Sequence, residues 1–139
     1  MEAVGKDDVH HQVEDWKKRI SDLYDFVERQ SKNDRTLRFD RTHTIMREEM
    51  MERYGYGSEE IPVLDIFRKN KLLATFQPVG LWVIGANGRV DVLTKDGAHI
   101  LVDLSNEDEP PKWIVYSPKN RKTGKPLDAD FVREILQES

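Results

Sequence analysis

The sequence predicts an α+β fold: an N-terminal amphipathic helix, a short second helix, a six-stranded antiparallel β-meander curled into a sheet or roll, and a C-terminal helix. Three observations predict it. Apolar residues recur at steps of three and four over the first thirty positions. From Val63 onward the hydrophobic period is two. The dipeptides Asn87-Gly88 and Asp96-Gly97, which favour tight hairpins, punctuate that second half. At 139 residues the chain is expected to be one domain, 1–139, with a single core.

Residues 1–8 are expected to be flexible, with Asp7 or Asp8 capping a helix over 9–31. Val9, Val13, Trp16, Ile20, Leu23, Tyr24 and Val27 form its apolar stripe. The same spacing fits a short dimeric coiled-coil seam, although packing on the protein's own sheet is the favoured use. Leu37 and Phe39 alternate with Arg38 and Asp40, as in a short strand. Thr42 or Thr44 then opens a second helix through Met46, Met50 and Tyr54, stopped by Gly55 and Gly57.

The meander is expected over 62–117. Its strands are Val63–Phe67, Lys71–Gln77, Gly80–Gly85, Arg89–Leu93, Ala98–Leu104 and Lys112–Tyr116. Lys69-Asn70 turns the first pair, and Pro78 is expected to break the second strand. Ser117 to Pro126 reads as a basic loop, and Asp128 or Asp130 caps a helix over 128–138. Two-residue turns at both Gly dipeptides set Val83 opposite Val92, and Val92 opposite Leu101. One face then holds Leu81, Val83, Val90, Val92, His99, Leu101 and Asp103. The other holds Trp82, Ile84, Arg89, Asp91, Leu93, Ile100, Val102 and Leu104. Both are rich in apolar side chains, which predicts cover on both sides of the sheet.

Composition narrows the function. The absence of cysteine excludes disulfides, thiolate metal sites and a cysteine nucleophile. A formal net charge of −4 argues against general nucleic-acid binding. No apolar run approaches the roughly 20 residues of a membrane span, and no signal peptide is visible, so a cytoplasmic location is expected. No phosphate loop, dinucleotide fingerprint, nucleophile elbow or zinc-protease motif is present, and no cofactor is called for.

The residues able to carry acid–base chemistry are Asp40, His43 and His99. His99 shares a face with Asp103 and could act as a general base, but the plainer reading is a structural histidine near Thr94. Asp40 and His43, with a glutamate such as Glu48, have the chemistry to hold a divalent cation. An extended strand would point Asp40 and His43 to opposite faces, so no metal site is expected. The clearest binding signal is Lys112, Trp113, Lys119, Arg121, Lys122 and Lys125. Five cations without an acid accompany an aromatic, as in phosphate contact with base stacking; the plainer reading is a solvated loop beside a core tryptophan. The acidic run Glu107, Asp108, Glu109 precedes it, and such paired charges suit a protein contact.

The expected function is a non-catalytic binding module for a protein partner, or a homodimer, away from membranes. One alternative is a small metal-dependent or acid–base hydrolase or nuclease-like enzyme. Another is a nucleic-acid or phospholigand binder using residues 112–125.

Overall fold

The apolar stripe forms one side of helix α1 (Lys6–Gln30), and each of its seven residues is at most 2% exposed. Burying side chains of this kind stabilises by about 1.5–3 kcal/mol each. That burial is against the protein's own sheet and the C-terminal helix α3 (Ala129–Ile135), so the stripe has no surface left for a coiled coil. The computed structural model describes residues 5–106 and 108–137, excepting the Lys6 side chain. Within the expected flexible segment, residues 6–8 are helical. Gly5 N–H donates to Asp8 Oδ2 at 3.0 Å, so Asp8 acts from inside the first turn rather than as the cap. Residues 1–4 lie outside the described residues.

The sheet has seven strands, not six, in chain order: β1 (Leu37–Met46), β2 (Glu59–Arg68), β3 (Lys71–Gly80), β4 (Arg89–Thr94), β5 (Gly97–Asp103), β6 (Trp113–Ser117) and β7 (Asn120–Pro126). Every neighbouring pair is antiparallel. The meander thus begins at residue 37 rather than 62. Met46 ends β1 instead of joining a helix, and the short helix α2 (Glu49–Arg53) buries Met51.

Three further expectations are corrected. Pro78 does not break β3, because the ladder to β4 slips between Pro78 and Gly80 and this bulge accommodates the missing N–H. Residues 81–85 are not a strand, and Gly80 belongs to the end of β3. Val83 bridges to Ala86 around Ile84-Gly85, where Gly85 takes φ 81°. Phe76, not Val83, therefore sits opposite Val92. Asn87-Gly88 is not a turn either. Asn87 N–H donates to Asp103 O at 2.7 Å and Asp103 N–H to Gly88 O at 3.1 Å, extending the β4–β5 pairing. The glycine is needed because a Cβ at position 88 would lie 2.3 Å from Trp16 Cζ3.

The β4–β5 hairpin turns at Lys95-Asp96, with Thr94 opposite Gly97 and Val90 opposite Leu101. The expected register was displaced by two residues, which leaves every side chain on its expected face. The expected basic loop is hairpin β6–β7. Its glycine lets the chain cross close to β6, since a Cβ at Gly124 would lie 2.4 Å from Ile114 Cγ2.

Among the described residues, only one face of β4–β5 is covered. Val90, Val92, His99, Leu101 and Asp103 are buried, whereas Arg89, Asp91, Leu93, Ile100 and Val102 are partly or fully exposed. Helix α3 (Ala129–Ile135) lies on the buried face, with Asp128 Oδ1 accepting from Phe131 N–H at 2.9 Å as its cap. The expected end of this helix, near residue 138, lies partly outside the described residues.

A buried ion pair joins α1 to β5. Arg19 Nη1 donates to Asp103 Oδ2 at 2.7 Å and to Asn87 O at 2.6 Å. Asp103 Oδ1 also accepts from the N–H groups of Ser105 and Lys112, both at 2.9 Å. Arg19 completes its set by donating from Nε to Asp15.

Candidate interaction surfaces

Asp40 lies on β1 opposite Asp65, 3.3 Å from Arg38 Nε. His43 is exposed and opposite Pro62. The carboxylate of Glu48 is engaged elsewhere, accepting from Leu81 N–H at 3.0 Å and Trp82 N–H at 3.3 Å. Among the described residues, no three of His, Asp and Glu come together to hold a metal ion. Nor is any described helix long and apolar enough to cross a membrane.

His99 is 6% exposed, and its ring meets Phe131 of α3 edge-on at 5.3 Å. Its Nδ1 is buried without a hydrogen-bond partner among the described residues. Burial lowers its pKa below the ordinary 6.5; Arg121 acts in the same sense, and Glu134 and Asp96 oppose it. His99, Ser117 and Glu134 line two clefts of about 130 and 340 Å³. Asp103, the expected companion of His99, is committed to Arg19.

The residues expected to bind phosphate separate into two groups. Lys112, Lys119, Arg121, Lys122 and Lys125 are exposed at and beside β7, one of the two edge strands of the described sheet. Trp113 instead faces the core, 6.1 Å from the Trp16 ring. Asn120 Oδ1 accepts from Lys122 N–H at 3.0 Å and Thr123 N–H at 3.3 Å, which occupies backbone donors of this edge.

The uncovered sheet face is divided in composition. Over β1–β3 it carries Asp40, Asp65, Thr75 and Gln77, with Thr75 Oγ1 donating to Asp65 at 2.6 Å. Over β4–β6 it carries Leu93, Ile100, Val102, Ile114 and Tyr116, and Leu93 is 45% exposed.

Sequence reasoning missed a second apolar surface. Residues 81–86 form a finger between β3 and β4 with Ile84 fully exposed at its tip. The finger is braced on three sides. Leu81 is buried, Glu48 accepts from two of its N–H groups, and Trp82 Nε1 donates to Gln12 Oε1 at 2.9 Å. Carboxylates lie around its base. Asp8 and Asp15 neighbour Gln12 on α1, and Asp108 lines one small cleft with Gln12, Asp15 and Asn87. The sequence signal was Trp-Val-Ile-Gly, three bulky apolar residues before a glycine, which reads equally well as a buried strand.

Comparison with protein-family models, with curated proteins and with solved structures finds no match for this chain.

Proposed function

We propose that the protein is a non-catalytic binding module for other proteins, with the finger of residues 81–86 as its principal contact. One observation carries this reading: a fully exposed isoleucine stands at the tip of a loop that is otherwise tied down. A connection between two strands has no folding use for such a side chain. A rigid apolar anchor does have a use in binding, because little ordering entropy is lost when it enters a pocket.

A photo-crosslinking residue at position 84, introduced in the source cell, tests it. A discrete protein adduct is expected that is absent when the same residue replaces Asp22 on the polar side of α1. Equal adducts at both positions, or none at either, would reject the reading.

A second reading rests on β7, where four exposed cations stand without an acid between residues 119 and 126. As a phosphate-binding edge it would hold a single-stranded oligonucleotide with affinity falling steeply with salt. Trp113 contributes no stacking there, being packed on Trp16. Binding that ignores salt, or that survives Lys122→Glu with Lys125→Glu, counts against this second reading.

A further inference from the structure

The finger has a counterpart on the same chain. A groove of about 950 Å³ lies between the C-terminal end of α1, the start of β1 and α3. Its apolar lining is Leu37, Val132 and Leu136, and its cations are Arg35, Arg68 and Arg133. Arg68 donates to Asp34 Oδ2 at 2.8 Å and to Leu136 O at 2.7 Å, which fixes one wall. The Thr36 hydroxyl, with Arg68, holds Asp34 ionised down to a pKa of about 2. Arg35 is exposed and has no partner among the described residues.

The two surfaces match in shape and charge. One is convex and apolar with Asp8, Asp15, Glu48 and Asp108 around it, Asp15 being paired with Arg19 and Asp108 lying beside His11. The other is concave and apolar, with Arg35, Arg68 and Arg133 against Asp34, which pairs with Arg68, and Asp130, which pairs with Arg133. They cannot meet within one molecule. Gln12, beside the finger, and Gln30, in the groove, are separated by eighteen helical residues, about 27 Å along α1.

We propose that the finger of one copy enters the groove of a second copy, so that the chain associates head to tail. The proposal rests on the binding-module reading above and names the partner as a second copy of this chain. The contact is heterologous: each copy offers a finger at one end and a free groove at the other. Association then continues to longer open chains, or closes as a ring, instead of stopping at a two-fold dimer. The complementary charge makes it weaken with salt.

Sedimentation velocity from micromolar to millimolar concentration tests this with two variants at exposed positions. Ile84→Asp blunts the finger, and Arg35→Glu with Arg133→Glu reverses the groove. The wild type is expected to gain mass beyond a dimer as concentration rises, and each variant alone to stay monomeric with unchanged circular dichroism. Mixed one to one, the variants are expected to form a heterodimer and nothing larger, because one intact finger and one intact groove remain. A monomeric wild type at millimolar concentration, association by either variant alone, or a mixture that stays monomeric would each overturn the proposal. A monomeric wild type that still gives the position-84 adduct with a different protein ends the self-assembly proposal and leaves the binding-module reading intact. Loss of both results removes both.

Discussion

The two faces of β4 and β5 carry three large apolar side chains each, yet differ in environment. Val90, Val92 and Leu101 are fully buried, while Leu93, Ile100 and Val102 remain open to solvent. The polar residues among them differ in the same way. Asp103 on the buried face is held by a guanidinium and two backbone N–H groups. Arg89 and Asp91 on the open face chiefly hold each other. Alternation in the strands does not decide which face becomes core. The helices do, and α1 is more than fifty residues away in sequence. A polar group on the covered face must be fully partnered or accept a shifted titration, whereas the open face tolerates either.

The largest expected effect comes from breaking the covered face's ion pair. Arg19→Met leaves the Asp103 carboxylate buried without its cation and should cost about 3–5 kcal/mol in urea denaturation. Next is the close approach beside it. Gly88→Ala places a methyl group into the Trp16 ring at a backbone φ of 122°, and about 1–3 kcal/mol of destabilisation is expected.

The third effect depends on pH. The folded chain holds His99 below the ordinary pKa of 6.5, so between those two values the unfolded chain binds more protons. The stability contribution is complete above about pH 6.5 and is lost as pH falls toward the folded value. Urea midpoints from pH 7.5 to 5 should decline in the wild type and flatten in His99→Phe. An unchanged slope in the variant would show that His99 is not the titrating group. The smallest effect belongs to the open face. Arg89→Ala removes a partly exposed ion pair and should change stability by less than about 1 kcal/mol. A loss as large as that of Arg19→Met would mean the two faces do not differ as described.

The legible parts of the fold were those governed by local pattern. The α1 stripe, the turn at Lys69-Asn70 between β2 and β3, and the Asp128 cap were all readable, because each depends on residues a few positions apart. The parts that failed depend on remote partners. Asn87-Gly88 has hairpin chemistry, but the Trp16 ring on α1 claims that glycine. Strand β7 has no apolar alternation and is a strand only because β6 pairs with it. In the candidate surfaces, the exposed cations were found from charge alone. The orientation of Trp113 was not, since one aromatic suits either a core or a stacking platform. Ile84 was invisible because an apolar triplet before glycine carries no sign of its exposure.

Because strand order follows chain order, each ladder closes only a short loop, the longest connection being residues 47–58. Low loop-closure entropy favours early growth of the sheet hairpin by hairpin. The contact from Arg19 to Asp103 is of the opposite kind and cannot form until β5 exists. During synthesis α1 is therefore made well before the surface it covers. Its apolar stripe meets β2 first, with Tyr24 donating to the carbonyls of Pro62 and Phe76, whereas its ion pair to Asp103 has to wait for β5.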